Sequence, residues 1–114
     1  MADKNERKYM IKDSWIFNLE SMHDKLWCIG TDLDEGSIAG PVEILGGTYT
    51  SSYDLQDLVD ECSALEWAAK TRKVTSKEYG RIKEIISWRV YQRYATCLLA
   101  GLRESDAGAC FKDL

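Results

Sequence analysis

The sequence predicts an α+β domain in which a small antiparallel sheet of three to four strands is followed by two α-helices. Two patterns lead to this fold class: strand-like alternation with turn signals fills the first half of the chain, and helical periodicity fills the second half. A hydrophobic content of 45% with four Trp and six Tyr is typical of a folded chain. Because strands precede helices, the helices would cover one face of the sheet. We expect residues 1–114 to form a single domain.

The predicted sheet begins after an entry segment, residues 1–12, and occupies residues 13–50. Large apolar residues alternate with polar ones from the start of this region, which predicts a strand over residues 14–22. A second strand is predicted over residues 26–33. The polar residues 23–25 between them read as the turn of a hairpin.

Two shorter strands complete the predicted sheet. Residues 42–45 form an apolar run after the chain's one proline, and residues 48–50 could return beside it. Gly46 and Gly47 lie between these runs and can supply the positive φ angles of a tight turn.

The first predicted helix covers residues 52–72. Ser51 or Ser52 can cap it with a hydroxyl group. Its apolar residues recur with helical spacing and form one stripe for the core: Leu55, Leu58, Val59, Cys62, Leu65 and Ala69. Trp67 falls outside this stripe, so its ring covers a sheet edge or stands at the surface.

The second predicted helix is long, residues 76–103, and is followed by a tail, residues 104–114. Its first half carries a core stripe of Tyr79, Ile82, Ile86 and Val90. Its second half carries another stripe on a nearly opposite face: Tyr91, Tyr94, Leu98 and Leu102. One small sheet cannot cover both stripes, so the second stripe predicts self-association as a homodimer. The alternative is that the N-terminal segment covers it.

Charge is segregated along the chain, whose net charge is −4. Residues 31–66 contain nine acidic residues and no Lys or Arg, whereas residues 67–103 contain nine basic residues against two acidic ones. An acidic block of this kind favours electrostatic attraction to a basic partner. The residues that we expect to make the partner contacts are Asp32, Asp34, Glu35, Asp57, Asp60 and Glu61. A solvated face is the alternative interpretation.

This block leads to the functional hypothesis of a non-catalytic protein-binding inhibitor. It would act as a DNA mimic and occupy a basic, nucleic-acid-binding surface of a larger host protein or nucleoprotein complex. The alternative is a small nucleic-acid-binding regulator, because cations and rings interleave in the long helix at Trp88, Arg89, Arg93 and Tyr94. The same arginines could instead pair with the acidic helix.

The sequence carries no catalytic signature, and we expect no enzyme activity and no cofactor. His23 is the one histidine, and the glycines match no phosphate-binding loop. The four cysteines contain no close pair. Asp32, Asp34 and Glu43 have partial calcium-loop spacing, but the glycine falls at the wrong position, so we expect no metal site.

The remaining expectations concern location and general type. The charged first ten residues and the lack of a long apolar run favour a cytoplasmic protein without membrane contact. As a compact, acidic, aromatic-rich chain without catalytic residues, it resembles the small inhibitors that phages and mobile elements direct against host machinery, anti-CRISPR proteins among them. This resemblance is one of size and composition, and it implies an inhibitor that acts by binding.

Overall fold

A computed structural model describes residues 7–99 and Gly101. The described chain is α+β, with three helices and two separate antiparallel sheets of two strands each. The elements in chain order are β1 (Lys8–Tyr9), α1 (Asp13–Asp34), β2 (Val42–Ile44), β3 (Gly47–Tyr49), α2 (Ser52–Thr71), β4 (Val74–Thr75) and α3 (Ser76–Leu99).

Helix α1 replaces the first two predicted strands. The predictions of strands over residues 14–22 and 26–33 are wrong, and the predicted turn at residues 23–25 lies inside the helix. The side chains that α1 buries recur with helical spacing: Trp15, Leu19, Met22, Leu26 and Ile29. Phe17, which the alternation had placed beside Trp15, is 60% exposed. Burial along the helical period therefore outweighs the short alternating run.

The two ends of α1 differ in how clearly the sequence marks them. Lys12 at its N-cap makes no side-chain capping bond, so the start of the helix lacks a sequence signal. At its end, Gly36 has a φ of 76° and its N–H donates to the Leu33 carbonyl, while the N–H of Ser37 donates to the Asp32 carbonyl at 2.8 Å. This pair of bonds is a Schellman motif, which requires the left-handed conformation that glycine adopts readily.

The two predicted short strands are confirmed as the β2–β3 hairpin, in which Val42 pairs with Tyr49. Leu45 and Gly46 have positive φ angles of 52° and 83°, as a type I′ turn requires at both central residues. The hairpin stands alone, so the predicted three-to-four-stranded sheet over residues 13–50 is wrong. Its would-be partner strands are part of α1.

The second sheet joins β1 to β4, with Tyr9 opposite Val74. It ties residues 8 and 9, which the sequence had assigned to an entry segment, to the link between α2 and α3. Stacking of the Tyr9 ring on Tyr79, with centroids 4.5 Å apart, holds this contact against the start of α3.

Both predicted helices are present. Ser51 caps α2 by accepting a hydrogen bond from the Asp54 N–H at 3.2 Å. Thr75 and Glu78 form a capping box at α3: Glu78 N–H donates to Thr75 Oγ1 at 3.1 Å, and Thr75 N–H donates to Glu78 Oε1 at 3.0 Å. The end predicted at residue 103 and the predicted tail lie outside the described residues.

The core lies between the three helices. The α3 side chains that enter it are Ile82, Ile85, Ile86 and Val90. In the described part of α3, no side chain after Val90 is buried, so the last turns of this helix extend past the core. None of the described helices is long and apolar enough to cross a membrane.

Candidate functional site

Helix α2 presents a straight row of exposed side chains on the side opposite its core stripe. We call this row the outer face of α2. Its members follow one another at spacings of four and three residues: Tyr53, Asp57, Asp60, Ala64 and Trp67, all exposed. At 1.5 Å per residue the row spans about 21 Å. It places two aromatic rings at its ends and two carboxylates between them.

The aromatic rings at the two ends of the row are largely exposed. Tyr53 is 87% exposed and Trp67 is 64% exposed. On the other side of α2, Cys62 is fully buried, and desolvation raises the pKa of its thiol to about 12. Large rings that stay in water while the core side is closely packed mark a surface suited to binding another molecule.

The N-terminal end of α2 is fixed against the end of α1. The Ser52 N–H donates to Asp34 Oδ1 at 2.9 Å, and the Ser52 hydroxyl donates to Asp34 Oδ2. These bonds lower the pKa of Asp34. The close approach depends on Gly30, where an added Cβ would lie 3.1 Å from the Cβ of Ser52.

The C-terminal half of α2 is fixed by a shared cation. Lys70 Nζ lies 2.7 Å from Oε1 of Glu20 on α1 and 2.9 Å from Oε1 of Glu66 on α2. The two carboxylates raise the pKa of Lys70. The outer face therefore belongs to a helix that is held at both ends, and a rigid helix presents its side chains without a large ordering cost on binding.

The three helices differ in net charge. Residues 52–71 contain five acidic residues and Lys70, which gives −4, and residues 13–34 contain five acidic residues and Lys25, which also gives −4. Residues 76–99 contain five basic and two acidic residues, which gives +3. Lys70 is already engaged by carboxylates, so the outer face of α2 has a negative potential that no cation within 53–67 offsets.

The six predicted acidic contacts have different environments. Asp57 and Asp60 lie on the outer face, and Asp60 accepts a hydrogen bond from Gln56 Nε2 at 2.9 Å. Glu61 accepts two hydrogen bonds from Arg81 of α3, both at 2.8 Å, and so holds two helices together.

The other three predicted acids are near the end of α1. Asp34 is engaged by Ser52, as described above. Asp32 is half-buried in the last turn, and Glu35 is exposed just after it. The structure thus brings Asp57 and Asp60 together on one face and assigns Asp34 and Glu61 to contacts within the protein.

The two arginines of the nucleic-acid alternative are turned toward α1. Arg89 Nε donates to Ser21 Oγ at 3.1 Å, and Arg93 donates to Asn18 Oδ1 at 2.6 Å. Trp88 is half-buried against the core, and Tyr94 is also half-buried. A ring that packs on the core offers little free surface for base stacking.

Three of the predicted self-association residues, Tyr91, Tyr94 and Leu98, lie on the part of α3 that extends past the core. Tyr91 and Leu98 are exposed, Tyr94 is half-buried, and the rings of Tyr91 and Tyr94 are 6.4 Å apart. Leu99 is exposed as well and was not predicted. Leu102 lies outside the described residues.

The described residues contain no group of three or more His, Cys, Asp or Glu side chains placed to hold a metal ion. Asp32 and Asp34 end α1, whereas Glu43 lies in the β2–β3 hairpin. His23 lies within α1, with its Nδ1 atom 3.9 Å from Oδ1 of Asp24.

Sequence reasoning missed the two rings of the outer face. Tyr53 and Trp67 fall within about 50° of the mean direction of Asp57 and Asp60 at about 100° per residue, so a helical projection of residues 52–71 contains the signal. Trp67 was predicted to cover a sheet edge or to stand at the surface, because a sheet of three to four strands was expected nearby.

Comparisons of the chain with protein-family models, with curated proteins and with solved structures found no match.

Proposed function

We propose that this protein is a non-catalytic binding protein whose outer face of α2 docks on a basic surface of a larger protein. The observation that carries this proposal is the row in which exposed Tyr53 and Trp67 flank Asp57 and Asp60. Tyrosine and tryptophan contribute most to many interfaces, because each buries a large ring at a low entropic cost.

The charge of the row indicates the chemistry of the partner. Carboxylates in a straight line along a helix match a groove lined by Lys and Arg, and such grooves commonly bind nucleic acid. A bound helix would cover the groove and compete with the nucleic acid. Inhibition by this route is the form of activity that the resemblance to small phage inhibitors implies.

The residues of the acidic block take different parts in this proposal. Asp57 and Asp60 contact the partner, and Asp32 and Glu35 at the end of α1 extend the negative field toward it. Asp34 and Glu61 act indirectly, because they hold α2 against α1 and α3. Variants of the contact residues should therefore weaken binding without affecting the fold.

The experiment compares capture of basic nucleic-acid-binding proteins from a lysate of the native host. The wild-type chain is immobilised beside Asp57→Lys/Asp60→Lys and beside Tyr53→Ala/Trp67→Ala. We expect a captured protein to be released by added duplex DNA and to bind either variant at least roughly tenfold more weakly, since each variant removes central contacts. Affinity is then measured with the purified partner.

A matched control reverses a charge elsewhere. Asp24→Lys changes an exposed carboxylate on α1 that is not part of the outer face. It makes the net charge more positive, as Asp57→Lys/Asp60→Lys does. We expect binding within about twofold of wild type, because remote surface charges are screened at physiological salt. Capture that survives charge reversal at Asp57 and Asp60, or capture that DNA leaves unchanged, contradicts the proposal.

A further inference from the structure

A depression lies where the link between β1 and α1 meets the first turns of α3. Its volume is about 270 Å³. We call it the aromatic pocket, and the side chains that line it are Met10, Lys12, Trp15, Tyr79 and Lys83. Two of them are positively charged, three are apolar or aromatic, and none is acidic. None belongs to α2, so the pocket is separate from the outer face of that helix.

The floor of the aromatic pocket is part of the folded core. Trp15 is 5% exposed, and the centroid of its ring lies 5.3 Å from that of Tyr79. The Tyr79 ring also stacks on Tyr9, which the pairing of β1 with β4 holds in place. Because these three rings fix one another, the floor needs little rearrangement to receive a ligand.

The rim of the pocket carries a large apolar side chain that stays in water. Met10 is 73% exposed. A methionine side chain is flexible and polarisable, so it can close over an aromatic ring. Contact between the two would remove apolar surface of both from water, which favours binding.

The two lysines of the pocket have no acidic partner in the part of the chain that the structure describes. Elsewhere, Arg72 and Arg81 each form an ion pair with a glutamate. No described carboxylate lies within ion-pair distance of Lys12 or Lys83. Lys12 Nζ lies 5.5 Å from the centroid of the Trp15 ring, so its charge is held over the floor. An anionic group in the pocket would therefore meet two cations without displacing a described ion pair.

We propose that the aromatic pocket binds a small aromatic anion. The ring of the ligand packs on Tyr79 and Met10, and its carboxylate or phosphate accepts hydrogen bonds from Lys12 and Lys83. A lysine ammonium binds either anionic group as a point charge. The volume is near the lower limit of ligand pockets, about 300 Å³, which suits one ring with one anionic group.

The shape of the pocket favours a small molecule over a nucleic-acid strand. Binding of a strand uses successive rings and cations along an extended groove. Here both lysines and the rings line a single depression, and Trp15 is closed off by the core. The pocket can therefore receive one ring and does not provide a path for several bases.

The test uses phenylacetate and phenyl phosphate as probes on the full chain, at matched ionic strength. We expect saturable shifts of the backbone amide signals of Met10 and Tyr79, and the tighter probe identifies the anionic group. Benzyl alcohol has the ring without the charge, and acetate has the charge without the ring. Each should bind at least roughly tenfold more weakly, because each lacks one of the two interactions.

Two lysine variants of α3 make the test specific. Lys83→Gln removes a pocket cation that makes no described hydrogen bond or ion pair, so the fold should persist while the affinity for both probes falls by roughly tenfold. Lys77→Gln removes the same charge from the exposed first turn of α3, outside the pocket lining, and should bind both probes as wild type does. Met10→Ala truncates an exposed side chain and should weaken both probes while acetate is unaffected.

Three results would overturn the inference. The first is equal affinity for phenylacetate and benzyl alcohol, and the second is an equal loss of affinity in Lys83→Gln and Lys77→Gln. The third is a short single-stranded oligonucleotide that binds more tightly than either probe and depends on Lys83, since the pocket would then be part of a surface that binds a strand.

Discussion

Glu78 joins three parts of the fold through one side chain, so its substitution should lower the stability of the protein measurably. Arg72, at the end of α2, donates to its two carboxylate oxygens at 2.9 and 2.8 Å. The same carboxylate accepts the Thr75 N–H in the capping box of α3. These contacts lower the pKa of Glu78 from its usual 4.5 to about 2, with the hydrogen bonds from Arg72 as the largest cause.

Two substitutions separate the contributions of the charge and of the cap. Glu78→Gln keeps an oxygen that can accept the Thr75 N–H but loses the charge, whereas Glu78→Ala loses both. The shift in pKa sets an upper limit of about 3 kcal/mol for the charge. Both Glu78 and Arg72 are partly exposed, so screening reduces this value. We expect a loss of about 1 kcal/mol for Glu78→Gln and about 2 kcal/mol for Glu78→Ala.

The pH dependence follows from the direction of the shift. The pKa of Glu78 is lower in the folded protein than in the unfolded chain, so the ionised carboxylate stabilises the fold above pH 4.5. This stabilisation is lost as the pH falls from 4.5 to about 2. The difference in stability between wild type and Glu78→Gln should therefore narrow across that interval.

The assay is urea denaturation followed by tryptophan fluorescence and circular dichroism at several pH values. Glu84→Gln is the matched control: Glu84 makes one 3.5 Å contact with Arg81 and is 66% exposed, so its loss should cost less than about 0.5 kcal/mol. If Glu78→Gln is as stable as wild type at neutral pH, or if its deficit does not change with pH, the assigned role of this carboxylate is wrong.

Three further predictions concern the core, the contact between α1 and α3, and self-association. Cys62 should resist thiol reagents in the native protein and react only on unfolding, since its pKa is about 12, while exposed Cys28 should react at once; mass spectrometry of the labelled peptides distinguishes them. Asn18→Ala should lower the free energy of unfolding by about 2 kcal/mol, because it removes the partner of Arg93, and urea denaturation measures the loss. We also propose a homodimer through the exposed end of α3, so Leu98→Asp should halve the mass in light scattering while circular dichroism is unchanged; a monomeric wild type refutes it.

Much of the second half of the fold could be predicted because its signals are local. Ser51 is followed by a regular apolar stripe, so both the start of α2 and its buried side are evident in the sequence. The capping box of α3 is also present in the sequence, as Thr75 followed three residues later by Glu78. The β2–β3 turn was recognised from Gly46, but the second residue with a positive φ is Leu45 and not Gly47, which begins β3.

Residues 13–34 were predicted wrongly because two periods compete there. Trp15, Phe17 and Leu19 alternate like a strand over a few residues, whereas the apolar positions recur like a helix over all of residues 13–34. Packing against α2 and α3 decides between them, because only the helix buries Met22 and Leu26 together with Trp15 and Leu19. The longer period was available in the sequence, but no cap marked its beginning.

The candidate site, like the fold, has features that could be predicted from the sequence and features that could not. Residue order and helical period are enough to show that acidic and basic residues are segregated, and that Asp57 and Asp60 share one side of α2. Which charges make contacts within the protein depends on packing: Glu61 contacts Arg81, and Asp34 contacts Ser52, each far apart along the chain. Packing also decided that Trp67 stays in water, because exposure depends on which elements pack nearby. No local period encodes long-range packing. Packing therefore distinguishes the acids that make contacts between helices, Asp34 and Glu61, from those that stay exposed on α2, Asp57 and Asp60.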